Sequence, residues 1–467
     1  MNTILRASLE KLPGPKYKAL AHALKEEVQD GTLAPGTKLP PVRELAWQLS
    51  ITPGTVARAY AILTDAGICE ATVGRGTFVK SRERVAPMVP QKIRAPRPRE
   101  TQTMDLDFHS PALSDTGQSA LVCELMSEIA QDPPSGVMDY PNRETFRPAR
   151  EAIMQWLAGT PLGALDERDI VLCHGGQNGI LLILQSVLKE PRPVILIEEL
   201  AYSGFRHAAE LLRAEVVPVA MDEHGLVPEA LEAAARAHEA QALCTSCEIH
   251  NPTGIFTPEE RRRGIARVAE HCGFHIIEDD CYRMGRSQAP SYRMLLPERG
   301  WYVSSISKTL TPALRVGFAI APSGQGAKLR RSAEHGFFGL ATPLADLTTR
   351  LLQDTRTEQI LVAVAEENKR YVQSMVNQLG GYDLSWRLDV PIAWLRLPRG
   401  WRASAFCQAA AAKGIRLRSA EDFICRDARP PHAVRIAINA RLPIERFDAA
   451  MATLRDLLDN PPEQIGV

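Results

Sequence analysis

Residues 303–318 read VSSISKTLTPALRVGF, and this stretch organises most of the chain around one lysine. Lys308 stands between two hydroxyl residues, Ser307 and Thr309, and Arg315 follows a short way downstream. A short apolar run precedes the lysine, as is typical of a strand that ends where the polar residues begin. An amine held among hydroxyls and a guanidinium suits covalent chemistry on an anionic ligand. The stretch therefore predicts a chemical site rather than a surface charge.

Short apolar runs alternate with helical segments from about residue 104 onward. The runs are 170–173, 194–197, 215–219, 241–245, 275–277 and 301–304. This order predicts an α/β region with a mostly parallel sheet covered by helices on both faces. From about residue 345, a long helix, strands near 393–397 and 433–438, and a closing helix predict a smaller α+β domain.

Four further motifs follow predicted strands, where ligands gather in open α/β sheets. They are CHGGQNG at 173–179, AYSGF at 201–205, EIHNPTG at 248–254 and IIEDDCY at 276–282. The glycines offer backbone amides at a helix start, which suits a phosphate. Pyridoxal phosphate (PLP) would use all of these groups, because its aldehyde needs a lysine, its phosphate needs amides, hydroxyls and an arginine, and its ring nitrogen needs a carboxylate.

Together these motifs resemble fold-type I PLP enzymes of the aspartate aminotransferase class over most of the chain. The resemblance implies that Lys308 is the catalytic residue and forms an internal Schiff base with PLP. It implies that Asp279 pairs with the pyridine nitrogen, with Asp280 as the nearest rival. Tyr282 and Asn251 would hydrogen-bond the ring oxygen O3′.

The same resemblance assigns the remaining groups around the cofactor. Tyr202 would stack on or flank the ring, and Arg435 matches the arginine that grips a substrate α-carboxylate, for which a bidentate fork is suited. The segment around Tyr140 and the VPIAW stretch lack glycines that are usual in this class, so an unusual ligand is expected. The implied phosphate site consists of Ser305, Ser307, Arg315, Gly176, Gln177 and, across a dimer interface, Tyr140.

The first eighty residues predict a helix at 17–30, a helix–turn–helix at 42–66 and a hairpin wing from residue 68 to residue 79. LAPGTKLPPVRELA, TPGTVARAYAILTDAG and GRGTFV occur in order, and this order resembles the GntR-type winged helix. The resemblance implies contacts to double-stranded DNA, since a helix N-terminus in the major groove offers amides to phosphates and side chains to base edges. The implied DNA-binding residues are Arg43, Thr52, Thr55, Arg58, Gly74 and Arg75.

Charge is distributed unevenly along a chain of zero formal net charge. The first 103 residues hold 16 Lys and Arg against 9 Asp and Glu, a net of +7, so the remainder carries −7. A basic front end suits nucleic acid. The predicted domains are a winged helix at 1–80, a basic proline-rich linker at 81–103, a PLP-binding large domain at 104–344 and a small domain at 345–467.

Composition narrows the class of protein further. The sequence has no long apolar run for a membrane and no secretory signal pattern, so we expect a cytoplasmic protein. Nine cysteines fit a reducing compartment. Cys244 and Cys247 form a CxxC without a second ligand pair, which favours packed thiols over a metal site, and we expect no metal.

A winged helix, a basic linker and an aminotransferase-like domain in one chain resemble the MocR-type transcription regulators. The resemblance implies a head-to-tail homodimer that senses an amine or amino-acid effector, or PLP itself, when the effector displaces Lys308 in transimination. Two alternatives stay open. The chain could be a working aminotransferase with a residual winged helix, or a DNA-binding protein that uses the PLP fold only for dimerisation. Any transaminase activity is expected to be weak.

Overall fold

The computed structural model describes residues 14–72, 76–80, 106–134, 138–425 and 428–461. These residues form two compact units, divided between residues 100 and 101. The predicted linker at 81–103 lies outside the described residues. Within the described ranges, no helix is both long enough and apolar enough to cross a bilayer.

The first unit contains three helices and a hairpin. Leu20 and Leu24 on its first helix pack against Leu45 and Val56 in one core. The hairpin strands pair antiparallel, so the predicted winged helix is confirmed. Its elements are α1 (Lys16–Gln29), α2 (Val42–Gln48), α3 (Pro53–Asp65), β1 (Cys69–Thr72) and β2 (Gly76–Val79).

A seven-stranded sheet forms the centre of the second unit. The strands lie in the order β4-β12-β11-β10-β9-β5-β6, and only β12 runs antiparallel to its neighbours. The mostly parallel sheet is therefore confirmed. Its strands are β4 (Ile170–Cys173), β5 (Val194–Glu198), β6 (Glu215–Val219), β9 (Ala242–Thr245), β10 (His275–Asp279), β11 (Gly300–Ser305) and β12 (Gly317–Ile320).

Helices cover both faces of this sheet, and their apolar sides form three buried clusters with the strands. Burial on both faces explains why the strands read as continuous apolar runs. The helices are α4 (Gln118–Gln131), α5 (Arg147–Trp156), α6 (Gly175–Val187), α7 (Ser203–Leu211), α8 (Pro228–His238), α9 (Glu259–Cys272), α10 (Tyr292–Leu295), α11 (Gly326–Phe337) and α12 (Thr342–Gln353). A small hairpin, β7 (Met221–Asp222) and β8 (Gly225–Leu226), lies between β6 and α8.

A second, antiparallel sheet lies toward the C-terminus, with the strand order β13-β14-β17-β16. It shares a core with the long helix α13, the last helix α15 and Phe108 from the start of the unit. The elements are α13 (Thr355–Leu379), β13 (Leu384–Ser385), β14 (Ile392–Arg396), α14 (Ala403–Ala412), β15 (Ile415–Arg416), β16 (Arg418–Ser419), β17 (Ala433–Ala437) and α15 (Ile444–Asp459), with β3 (Leu106–Asp107) paired to β15.

Phe108 shows how the chain enters the second unit. The segment that carries it pairs with β15 and packs in the core of the small sheet before the chain continues to the large sheet. Helix α13 contributes Tyr371 and Met375 to that core, and Ile360 and Val364 to a core of the large sheet. Helix α13 thus belongs to both cores. The boundary that the sequence predicts between the large and small domains, at residues 344 and 345, stays a prediction.

Gly300, at the start of β11, tests the packing of the large sheet away from the candidate site. A Cβ there would lie 2.2 Å from the Tyr292 carbonyl oxygen, whereas a Cβ at Gly159 would meet nothing within 4 Å. We expect Gly300→Ala to lower the free energy of unfolding by about 1–3 kcal/mol, because backbone must move. Urea denaturation should show Gly159→Ala within about 0.5 kcal/mol of wild type, and equal effects of the two changes would contradict this packing.

Candidate functional site

The carboxyl ends of the parallel strands bring the quoted motifs to one edge of the large sheet. Tyr202 follows β5, Asn251 follows β9, Asp279 ends β10 and Lys308 follows β11. Parallel strands end at the same edge, so residues distant in sequence meet there. The 3₁₀ turn Ile306–Lys308 then turns the lysine out of the sheet.

Lys308 is half-buried, and its Nζ lies 5.7 Å from the ring centroid of Tyr282. The neighbouring Ser307 and Thr309 are buried, and their hydroxyl oxygens have no hydrogen-bond partner among the described residues. Buried hydroxyls are ordinarily paired, so the two unpaired ones mark a place prepared for a polar ligand.

Close approach of glycine backbones shapes the part of the site beside α6. Gly175 has a φ of +78°, and a Cβ there would lie 2.7 Å from Nη2 of Arg315. A Cβ at Gly176 would lie 2.4 Å from Sγ of Cys281. Arg315 therefore lies against the first residues of α6, where a helix N-terminus and a guanidinium together favour an anion.

Gln177 and Tyr202 meet beside Gly204. The side-chain nitrogen Nε2 of Gln177 donates to the Gly204 carbonyl oxygen at 2.8 Å. Oε1 of the same side chain is buried without a partner among the described residues. A Cβ at Gly204 would lie 2.2 Å from the Tyr202 ring. Burial raises the pKa of Tyr202, and the nearby Asp279 carboxylate raises it further. The tyrosine is therefore held in its neutral form.

Asp279 and Asp280 are adjacent in sequence but differ in their partners. Asp279 Oδ1 accepts from the Cys281 backbone nitrogen at 3.1 Å, and burial raises the pKa of Asp279 to about 6. Asp280 Oδ2 accepts from Arg283 Nε at 2.6 Å and from the Tyr302 hydroxyl. Asp280 is thus bound in an ion pair through Oδ2, while its Oδ1 is buried without a partner among the described residues. Asp279 keeps accepting capacity for a ligand.

Arg435 on β17 is 1% exposed and links the small sheet to the loop after β9. Its Nη1 donates to Asn251 Oδ1 at 2.6 Å and its Nη2 donates to the His109 carbonyl oxygen. Its Nε has no partner among the described residues, and the Tyr282 side chain lies beside it. Burial lowers the pKa of Arg435. A buried guanidinium with an unpaired N–H favours an anionic ligand.

Ser305 joins this group at the end of β11, while Tyr140 does not. Ser305 is buried, and its side chain forms a hydrogen bond with the thiol of Cys281. Tyr140 is 85% exposed and contacts Phe338, with ring centroids 6.0 Å apart. One copy of the chain therefore gathers the other predicted ligands and leaves Tyr140 on the surface.

Four of the predicted DNA-binding residues lie among the described residues of the first unit. Arg43 and Arg58 are exposed. Thr52 caps α3 by accepting from the Thr55 backbone nitrogen at 3.3 Å, and the two hydroxyls lie 2.9 Å apart. Gly74 and Arg75 lie outside the described residues.

Sequence reasoning missed several polar groups near the two sites. Lys38 lies over the wing, with Cε 2.8 Å from the position of a Cβ at Gly76. Thr309 could have been found, because it continues the hydroxyl pattern around Lys308. Cys281 and Arg418 carry no such signal, since their places depend on the way separate segments pack.

Comparison with known proteins agrees with this division. The family described as aminotransferase class I and II matches residues 106–454, and the gntR family of bacterial regulatory proteins matches residues 16–79. The uncharacterized HTH-type transcriptional regulator YdeF of Bacillus subtilis is 28% identical over 97% of both chains. The vitamin B6 salvage pathway transcriptional repressor PtsJ of Salmonella typhimurium is 27% identical over 92% of this chain and 95% of its own.

Solved structures share the fold of the second unit. A kynurenine aminotransferase of Pyrococcus horikoshii in complex with PMP superposes with a TM-score of 0.68 at 19% identity. The similarity covers 78% of this chain and 93% of that one. At this identity the similarity establishes the fold alone.

The two neighbouring aspartates should respond oppositely to neutralisation. Because burial raises the pKa of Asp279 from 3.8 to about 6, its ionised form lowers stability above that pH and has no effect below its unfolded pKa. In dialysed, ligand-free protein, Asp279→Asn should match wild type near pH 4. It should become up to about 3 kcal/mol more stable at neutral pH.

Asp280→Asn is the matched control. Burial raises the pKa of Asp280 too, but its neutralisation also breaks the ion pair and leaves Arg283 without that counter-charge, so the ion pair decides the sign. We expect it to lower the free energy of unfolding at neutral pH by about 3–5 kcal/mol. Urea denaturation across this pH range checks both variants. Destabilisation by Asp279→Asn at neutral pH would contradict the difference between the two carboxylates.

Proposed function

Because the chain belongs to the aminotransferase class I and II family and carries an N-terminal gntR-family domain, we propose that it is a PLP-dependent, DNA-binding transcription regulator of MocR type. One observation carries the proposal: a winged helix stands in the same chain as a full set of PLP-binding groups. The regulator YdeF aligns with nearly the whole chain, both units included. An alignment with a transcriptional regulator over both units supports a regulatory function rather than an enzymatic one.

The residues at the strand ends fit PLP. Unpaired buried hydroxyls at Ser307 and Thr309, and a glycine cradle at Gly175 and Gly176, suit a phosphate. The kynurenine aminotransferase of the same fold was solved with PMP, a related cofactor form. In this proposal the phosphate ligands are Ser305, Ser307, Arg315 and the Gly176 and Gln177 amides, with Tyr140 contributed by a partner subunit.

PLP supplies an aldehyde carbon for which a primary amine of the protein or of an effector can compete. Lys308 is the protein amine in this proposal, and its position 5.7 Å from the Tyr282 ring centroid keeps it beside the ring-binding groups. In this proposal the Asp279 carboxylate accepts a hydrogen bond from the protonated ring nitrogen, since Asp280 is already paired with Arg283. Asn251 and Tyr282 orient the ring oxygen, and Tyr202 covers the ring face.

Arg435 gives the site its preference for an amino acid over a simple amine. Its buried guanidinium pairs Nη1 and Nη2, but its Nε–H has no acceptor among the described residues. An α-carboxylate placed there would restore the missing acceptor and supply the missing negative charge. PLP itself is the alternative signal, and the relative PtsJ, named for a vitamin B6 pathway, supports that alternative.

The gntR-family domain implies DNA binding. Arg43, Arg58 and the N-terminus of α3 with Thr52 and Thr55 are the proposed contacts, together with Gly74 and Arg75 of the wing. Because the gntR family consists of bacterial regulatory proteins and bacterial DNA lies in the cytoplasm, we place the protein there.

Effector and DNA binding are proposed to be coupled in a head-to-tail homodimer, with residues 81–103 as the connection. Exposed Tyr140 and Phe338 support a homodimer, since they leave an aromatic pair on the surface of the second unit. Linkage requires that effector and operator change each other's affinity by the same factor, typically about 1–3 kcal/mol.

A working aminotransferase is the less supported function. The lysine, aspartate and arginine set would also suit transamination, and solved aminotransferases share the fold. The kynurenine aminotransferase structure covers 78% of the chain, whereas the regulator YdeF covers 97%. Keto-acid formation from amino acids by purified protein, without sequence-specific DNA retention, would favour the enzyme.

Lys308→Ala should abolish covalent capture of the cofactor. After incubation with PLP and reduction with borohydride, wild type should gain one cofactor mass, located by peptide mass spectrometry on Lys308. Lys328→Ala, which removes an exposed lysine outside the site, should label like wild type. Equal labelling of Lys308→Ala would contradict the assigned lysine.

Arg43→Gln should weaken operator binding and flatten its salt dependence. If Arg43 neutralises one phosphate, the slope of log K against log salt should fall by about 0.9. Lys25→Gln, an exposed cation on α1, is the matched control and should leave the slope unchanged. Fluorescence anisotropy with DNA from upstream of the gene measures both variants, and identical slopes would remove Arg43 from the interface.

A further inference from the structure

Two arginines occupy paired positions on neighbouring strands of the small sheet. Arg418 on β16 is the antiparallel partner of Arg435 on β17. Residues that face each other across an antiparallel pair project from the same face of the sheet. The Arg418 side chain therefore lies on the face that carries Arg435 toward the candidate site.

Both guanidinium groups pack on one aromatic ring. Cζ of Arg435 is 4.9 Å from the Phe423 centroid, and Cζ of Arg418 is 5.5 Å from the same centroid. Stacking on a ring holds a guanidinium in place without using its N–H donors. The two groups are thus positioned for hydrogen bonds and lie close enough for one small molecule to reach both.

The surroundings of Phe423 place this pair at the ligand site. The Ala201 backbone nitrogen donates to the Phe423 carbonyl oxygen at 2.8 Å, which holds the Tyr202 loop against it. Burial raises the pKa of Tyr202, and the charge of Arg418 opposes part of that rise; Tyr282 lies beside Arg435. Arg418 therefore lies near two residues of the candidate site, Tyr202 and its cross-strand partner Arg435.

The described residues balance the charge of the pair incompletely. Asp422 is the carboxylate that acts on both arginines, but its oxygen is 3.5 Å from Arg418 Nε and its side chain is about half exposed. Arg418 is itself 30% exposed, so its fork is open to a ligand. Among the described residues, two adjacent cations share one weakly bound counter-charge, which favours a ligand with two negative groups.

We propose that Arg418 binds the second anionic group of the effector, which is an α-amino acid with an acidic side chain. This inference rests on the proposed function of the same site. The ligand's amine competes with Lys308, its α-carboxylate binds Arg435, and its side-chain carboxylate binds Arg418. Phe423 fixes both arginines, so the protein sets the spacing of the two anions.

Calorimetric titration of PLP-loaded, full-length protein tests the inference. The probes are L-aspartate and L-glutamate, their neutral amides L-asparagine and L-glutamine, and O-phospho-L-serine, which separates a carboxylate from a phosphate. We expect at least one acidic probe to bind roughly ten- to hundred-fold more tightly than its neutral counterpart, as one charge-assisted contact allows.

Substitutions assign this preference to one side chain. Arg418→Gln should remove the preference for acidic probes and leave the neutral amides at wild-type affinity, and Arg418→Lys should restore part of it. Arg435→Gln should weaken every probe. Arg416→Gln is the matched control, because Arg416 is exposed and pairs with Asp107 instead, and Asp422→Asn should retain or strengthen acidic binding.

The outcomes separate this inference from the function on which it rests. Equal affinity for acidic and neutral probes, or a preference that survives Arg418→Gln in a variant with wild-type thermal unfolding, overturns the role of Arg418 alone. If wild type retains PLP but binds none of the amino acids, the amino-acid effector and the role of Arg418 are both overturned.

Discussion

The buried positive charge of Arg435 is the constraint on which the arrangement of the second unit depends. A guanidinium that is 1% exposed must find acceptors inside the protein. It takes one from Asn251 of the large sheet and one from the His109 backbone, which enters through the small-sheet core. Three separate segments are therefore tied to one side chain. Because the Nε–H remains unpaired among the described residues, the electrostatics of the site are complete only with an anion.

Close backbone contact shapes the part of the candidate site beside α6, as Arg435 shapes the part beside β17. The Gly175 backbone meets the Arg315 guanidinium, and Gly176 meets Cys281. A side chain at these positions would push α6 away from Arg315, which follows β11, and from Cys281, which follows β10. The geometry of the site thus comes from close packing in two places, and the strand ends between them carry the chemistry. This explains why residues spread from 109 to 435 act on one small volume.

The sequence allowed prediction of the repeating parts of this arrangement but not of its side-chain pairings. Strands buried on both faces read as apolar runs, so β4 and β6 were predicted with their observed bounds. The edge strands β13 and β16 are two residues long and carry no pattern. The order of the motifs that follow the strands predicted which residues lie around Lys308 in the candidate site. The sequence could not show which of the adjacent residues Asp279 and Asp280 is ion-paired. Arg283 and Tyr302 donate to Asp280, and only the folded chain brings Tyr302 there.

The same argument explains why Arg418 carried no signal in the sequence. Its neighbour Arg416 has the same chemistry and a similar context, yet Arg416 pairs with Asp107 while Arg418 stacks on Phe423. Along one extended segment, residues i and i+2 project from the same face, so alternation alone does not distinguish these two arginines. They differ because Arg416 belongs to β15, which pairs with β3, and Arg418 to β16, which pairs with β17. Only the register of β16 against β17 brings Arg418 beside Arg435. Ligand preference in this fold can therefore depend on strand register, which local motifs do not encode.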